Sequence, residues 1–333
     1  MASQLDKRNV LKAVAVVAVV AFTGLPVQAA DSKSDVSEIG NRKVAHKSII
    51  SQEREIAAGR QYAAEINRTA KFITDPVVNE YVNRVAQNVA RNSDLKVPLT
   101  VRVIDGPEIN AFALPGGFLY VYSGLLKAAS EEDQLAGVMA HEIAHVAARH
   151  WASQMTRASI LQYATIPLIF VPMTYPVYLG VSQALNIGVP VAFLKFSSDQ
   201  EAEADYLGLQ YMYKAGYDPN AYVTFFGKVL EEERRRPGSV PKIFEDHPPT
   251  PDRILKAEEE IKQLPKRDEY LVSTSEFDDV KGRLNTLTAA LRKKDHASSA
   301  PTLDKRQPDA STQPAQQGQD QGEEKPPVLK RRD

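Results

Sequence analysis

Three of the six histidines of this 333-residue chain fall within ten residues, His141-Glu142-Ile143-Ala144-His145-Val146-Ala147-Ala148-Arg149-His150. On a helix advancing about 100° per residue, His141 and His145 share one face a turn apart, the spacing at which two imidazoles bind one metal ion. Glu142 stands beside them, where it does not chelate in line with both but reaches a water on the metal's open position. Leu135, Val138, Met139, Ile143 and Val146 form an apolar stripe, and Ala136, Gly137, Ala140, Ala144, Ala147 and Ala148 cover most of the remaining surface. The helix predicted over 131–165 is therefore packed on nearly all sides. Ser130 is its predicted N-cap, with Glu131, Glu132 and Asp133 in the first turn. Two histidines and a glutamate in such surroundings are costly unless paired or metal-bound. The alternative is a pair of core histidines satisfied by backbone carbonyls.

A third ligand has to come from elsewhere. His150 lies nine positions past His141, about 180° around the same predicted helix. A metzincin pattern would need a glycine at 148 and a histidine at 151, where this chain has Ala148 and Trp151. The chain has no cysteine, so thiolates are excluded and the remaining ligand is a histidine or a carboxylate. Ser198-Asp199-Gln200-Glu201-Ala202-Glu203-Ala204-Asp205 opens the next long predicted helix, 199–215. Glu201 and Asp205 share a face at i and i+4, where like charges repel unless a cation neutralises them. Glu201 is the candidate ligand and Asp205 the candidate acceptor that orients a ligating imidazole. The competing reading is a capping box between Ser198 and Glu201, which needs no metal.

Outside this constellation the chain reads in three parts. Residues 1–29 are predicted to be a cleaved export signal: Lys7, Arg8 and Lys12 precede a short apolar run, and Val27-Gln28-Ala29-Ala30 is a small-residue cleavage pattern. A membrane anchor would need about 20 apolar residues, and this run has about half that. Residues 30–295 form one predicted domain without internal repeats. Helical periodicity marks 49–70, 77–90, 220–235, 251–262 and 276–293, and strands are predicted at 99–104, 110–114 and 118–122, the last two joined by Pro115-Gly116-Gly117. Residues 296–333, rich in Pro, Gln, Asp, Ser and Lys, are expected to be a disordered tail. Lys and Arg number 41 against 42 Asp and Glu, so the charge gives no support for a nucleic-acid partner. Residues 158–194 carry no charge, but four prolines break them, so a spanning helix is excluded. A hydrophobic hairpin or lid, ordinary core, and a peripheral membrane or unfolded-substrate contact remain as readings of that segment.

The His141-to-His145 motif, Glu201 through Asp205, Asn110-Ala111-Phe112-Ala113-Leu114-Pro115-Gly116-Gly117, and His247-Pro248 followed by Arg253-Ile254 together resemble the CAAX-prenyl-protease/HtpX family of zinc metallopeptidases. The chain is most similar to its periplasmic BepA-like members, though its helical pattern stops where theirs continues into tetratricopeptide repeats. The resemblance implies an α+β fold: a compact, mainly helical gluzincin metallopeptidase domain with a small β-sheet above the active-site helix. It implies one Zn2+ per chain, with His141, His145 and Glu201 as ligands and Glu142 as the catalytic base. The expected reaction is hydrolysis of internal peptide bonds, in which Glu142 takes the proton of an activated water and passes it to the leaving amine.

Substrate positioning is expected from main-chain pairing along Asn110, Ala111 and Phe112. His247 and Arg253 are candidate donors to the developing oxyanion. His247 has a second reading, as a latch on zinc's fourth position. The expected substrates are polypeptides, unfolded or outer-membrane proteins, met in the periplasm. A holdase-like binding protein built on the same scaffold is the alternative function, and a secreted thermolysin-like protease fits the ligand set but not the compact, cysteine-free layout.

Overall fold

A computed structural model describes residues 33–169, 195–235, 247, 248 and 250–299. The predicted signal, residues 170–194 of the apolar segment, and the predicted tail from 300 onward lie outside the described residues. The chain divides into two units, Met1–Ala290 and Leu291–Asp333, and of the second only residues 291–299, at the end of a helix, are described.

Helix α1 (Gln52–Thr69) starts at Ser51, whose hydroxyl accepts from the Arg54 N–H. Helix α2 (Pro76–Arg91) has Asp75 as its cap and Pro76 in its first turn, and it buries Val78, Tyr81, Val82, Val85, Ala86 and Val89 on one face. Three strands follow: β1 (Thr100–Ile104), β2 (Ala111–Leu114) and β3 (Phe118–Tyr122). Their order is β1-β3-β2, with β3 parallel to β1 and antiparallel to β2, so β2 is an edge strand. The β2–β3 turn needs left-handed backbone at Gly116 (φ +82°) and Gly117 (φ +90°), which explains the glycine pair. A short helix, α3 (Ser123–Ala128), continues directly from β3. Six residues are too few to show a helical period in the sequence.

Helix α4 (Glu132–Ala147) is buried over its whole length. Two expectations about it are corrected. Ser130 is not its cap: Glu131 holds the N-cap position without a side-chain bond, and the Asp133 N–H instead donates to the Val272 carbonyl at 3.0 Å. The helix also does not run through to residue 165. It ends at Ala147, Arg149 adopts a left-handed conformation (φ +59°), and α5 (His150–Ile169) starts afresh. Such a φ costs a non-glycine residue about 1–3 kcal/mol and persists where its surroundings hold it. Here Arg149 Nε donates to Glu55 Oε2 at 2.7 Å and Nη2 to the Ile50 carbonyl at 2.8 Å.

Helix α6 (Ser198–Ala215) opens with a capping box between Ser197 and Gln200, one residue before the competing Ser198–Glu201 box, and closes at Gly216 (φ +95°). The competing Ser198–Glu201 box does not form, and Glu201 is free of capping. Helices α7 (Asn220–Arg235), α8 (Pro251–Gln263, capped by Thr250) and α9 (Ser275–Ser299) complete the described residues. Helix α9 runs past the expected domain boundary at 295. The core forms where α2, α6, α7 and strand β2 close around α4, with α6 the most extensive neighbour. Gly208 permits that approach, since a Cβ there would lie 3.2 Å from the His141 backbone nitrogen. Among the described residues no helix is long and apolar enough to cross a membrane. The architecture is α+β, mainly helical, with one small mixed sheet.

Candidate metal centre

Helix α4 delivers His141, Glu142 and His145, helix α6 delivers Glu201 and Asp205, and the segment before α8 delivers His247. All six are buried. His141, His145, Glu201 and His247 each offer one ligand atom within 4.8 Å of all the others. His141 Nε2 lies 3.0 Å from His145 Nε2 and 3.4 Å from Glu201 Oε2, and His145 Nε2 lies 3.6 Å from Glu201 Oε1. His247 Nδ1 is 2.9 Å from Glu201 Oε1 and 3.4 Å from His141 Nε2. Ligand atoms around a tetrahedral zinc with bonds near 2.0–2.1 Å stand about 3.3 Å apart. The donor set fits, and beside it Glu142 Oε1 is buried without a hydrogen-bond partner.

The second nitrogen of His141 is held on the side away from this cluster. Its Nδ1 is 3.0 Å from Asp205 Oδ1 and 3.2 Å from the Tyr222 hydroxyl, which also donates to Asp205. Arg253 fixes Asp205 through Nε and Nη2, both at 2.7 Å, and places Nη1 3.0 Å from Glu201 Oε2 and 2.9 Å from the Pro248 carbonyl. Its guanidinium is thus occupied by carboxylates and a carbonyl, a positioning geometry, in contrast to the oxyanion donor expected from sequence.

Burial alone would pull His141 down, but the carboxylates of Asp205 and Glu201 raise it to about 9. Burial with no adequate counter-charge holds His145 well below the usual histidine range. Burial pushes Glu142 up. In Glu201 burial acts upward, yet the charges and hydrogen bonds of His247, His141 and His145 outweigh it and hold the carboxyl well below its usual range.

Glu142 Oε2 accepts the Ala113 N–H of edge strand β2 at 3.0 Å, while Oε1 faces His247 Nε2 at 3.4 Å. Of the expected substrate-pairing residues, Asn110 gives its carbonyl to the Tyr122 N–H, and Phe112 pairs with Tyr120 and stacks on it at 5.1 Å. Antiparallel alternation turns the main-chain groups of Ala111 and Ala113, and not those of Asn110 and Phe112, toward the open edge. The outward set is corrected accordingly. Sequence reading missed Tyr222, whose only signal is its place in the first turn of α7, and Phe196, which stacks on His145 at 4.0 Å.

A second group lies behind His145. His150 Nδ1 is 2.9 Å from His145 Nδ1, and His150 Nε2 is 3.2 Å from Glu203 Oε2, which His46 Nε2 also approaches at 2.6 Å. The turn at Arg149 is what brings His150 here, so its angular position on a continuous helix does not apply.

Comparison with known proteins gives a consistent assignment. Residues 76–261 match the profile of Peptidase family M48. The beta-barrel assembly-enhancing protease of Escherichia coli (strain K12) is 32% identical over 247 residues, 71% of this chain and 49% of that protein. The mitochondrial metalloendopeptidase OMA1 of Schizosaccharomyces pombe is 38% identical over 185 residues, 54% of this chain and 52% of that protein. The OMA1 of Saccharomyces cerevisiae is 33% identical over 176 residues, covering 51% and 48%. The chain spans about half the length of the curated relatives it matches.

Proposed function

The chain belongs to peptidase family M48, and from that premise we propose that it is a zinc-dependent endopeptidase of the cell envelope, hydrolysing peptide bonds in misfolded or misassembled envelope proteins. The observation that carries this reading is the buried set of His141, His145 and Glu201 with the unpartnered Oε1 of Glu142 beside it. In this reading His141, His145 and Glu201 hold the metal. When bound, zinc supplies Lewis acidity toward water and the scissile carbonyl. Glu142 takes the water proton on Oε1 and later passes it to the leaving amine, and the Ala113 N–H on Oε2 keeps the carboxylate oriented for both transfers. The main chain of Ala111 and the carbonyl of Ala113 offer the edge along which an extended substrate pairs.

His247 is assigned the role of a latch. Its Nδ1 stands among the ligand atoms and its Nε2 faces Glu142, so a substrate must displace it to reach both. Arg253 and Asp205 position the centre, Asp205 through His141 and Arg253 through Asp205 and Glu201. Residues 1–29 serve as the export signal, and 158–194 as a hydrophobic lid, ordinary core or a peripheral contact for membrane or unfolded protein.

The test is zinc content together with casein cleavage by the purified mature chain. One zinc per chain and cleavage abolished by a chelator are expected; a metal-free, inactive protein would refute the proposal. For the latch, His247→Ala should raise cleavage, whereas lowered cleavage with zinc retained would assign His247 to transition-state stabilisation.

A further inference from the structure

We propose that His150 and Glu203 form a relay that fixes the proton and the orientation of His145, making both positioning residues of the metal centre, and that the group His46, His150 and Glu203 cannot hold a second metal while the first is in place. The inference rests on the reading that His145 is a ligand.

His145 turns Nε2 toward His141 and Glu201, so a neutral ring binding metal through that atom carries its proton on Nδ1. The atom facing that proton is His150 Nδ1, at 2.9 Å. For a hydrogen bond to form, His150 Nδ1 must offer its lone pair, which leaves the His150 proton on Nε2. That proton points at Glu203 Oε2, 3.2 Å away. The sequence of donors is then complete: His145 Nδ1–H to His150, His150 Nε2–H to the Glu203 carboxylate. His150 is fully buried, so no solvent could repair a mismatched tautomer.

The two imidazoles of α4 are thus supported differently by the same helix. His141 meets a carboxylate directly, Asp205, whereas His145 meets Glu203 through an intervening ring. Outer partners of this kind orient a ligating imidazole and raise its basicity. Glu203 is itself anchored, with Lys33 Nζ 2.7 Å from Oε1 and His46 Nε2 2.6 Å from Oε2.

His46, His150 and Glu203 also satisfy the spacing of a metal site, with ligand atoms all within 4.8 Å of one another. A metal on His150 Nε2 would force that ring's proton onto Nδ1, where it would face the Nδ1 proton of a metal-bound His145 at 2.9 Å. Two N–H groups cannot share that contact. The shared contact therefore lets one of the two sites fill at a time, and the deeper one has the larger set of ligands.

Zinc stoichiometry and affinity, by chelator competition on the full chain, together with the visible spectrum of the cobalt-substituted protein, test this. The wild type should bind one equivalent. His150→Phe should weaken affinity about 10–100-fold and shift the cobalt bands, with the far-UV circular dichroism of the metal-free protein unchanged. His150→Gln, which can both accept and donate, should recover part of the loss. Glu203→Ala should weaken binding in the same direction, and it decides the matter if His150→Phe does not fold. Wild-type affinity in His150→Phe, or two equivalents of which one is lost in His46→Ala, would overturn the relay alone. A wild-type chain that binds no metal would overturn the relay and the metallopeptidase reading together.

Discussion

Glu142 and Asp133 lie on one buried helix, and each has a carboxylate oxygen without a hydrogen-bond partner, with different consequences. For Glu142 the open oxygen faces the ligand cluster. Glu142→Gln is nearly isosteric but cannot take a proton, so zinc content should stay at the wild-type level while casein cleavage falls by about 10²–10⁴-fold. Cleavage undiminished in that variant would remove Glu142 from the mechanism. For Asp133 burial raises the carboxyl to about 7, against the helix N-terminus that would otherwise favour its charge. Between pH 4 and 7 the folded chain therefore holds a proton that the unfolded chain has released. Its contribution to stability is full below about pH 4 and is lost as pH rises through 7. Asp133→Asn should gain stability over the wild type at pH 8, on the order of a few kcal/mol, and little at pH 4. Urea midpoints measured across that range check it, and a difference independent of pH would contradict it.

Between elements, the contact that matters most for the candidate centre is α4 against α6, because each contributes candidate ligand atoms and their separation sets the spacing of those atoms. Gly208 faces the backbone of Ala140 and His141, where a Cβ would lie 3.2–3.3 Å from main-chain atoms that cannot rotate away. Gly208→Val should therefore push the helices apart. The expected cost is about 1–3 kcal/mol of stability, with a parallel loss of zinc affinity in chelator competition. A variant of wild-type affinity would show that the ligand spacing is not governed by this contact. The turn at Arg149 is the second such device, since Glu55 and the Ile50 carbonyl hold it and it alone turns His150 back toward His145.

For the whole molecule, the proposed ligand set joins segments far apart in sequence, His141 and His145 on α4 and Glu201 on α6, with the latch His247 coming from the segment before α8. A metal bound only by the folded chain stabilises it by mass action, about 4 kcal/mol at a free concentration a thousandfold above its dissociation constant. For a domain of this size that corresponds to a rise in melting temperature of about 10 °C. Differential scanning fluorimetry with added zinc and with chelator should show this shift in the wild type and not in His145→Ala. An equal shift in His145→Ala would mean that the stabilising metal binds elsewhere.

The candidate metal-binding face was legible in the sequence because it is local: His141, Glu142 and His145 sit at helical spacing, and α4 is long and periodic enough for its burial to be read from its small and apolar residues. The hairpin was legible for a similar reason, since Gly116 and Gly117 mark backbone that other residues avoid. Other features depended on contacts distant in the chain. Ser197 and Ser198 each precede a Gln or Glu three residues on, and the structure caps with Ser197, leaving Glu201 to face His141. Nothing local marks Arg149 as a helix break, because the left-handed turn is held by Glu55 and Ile50, some ninety residues earlier. That break, and not the helical angle, places His150 against His145. Spacing determined which residues could meet on one helix; tertiary packing decided which residues from other helices met them, because the groups that stabilise a strained turn or a buried charge lie far away in sequence.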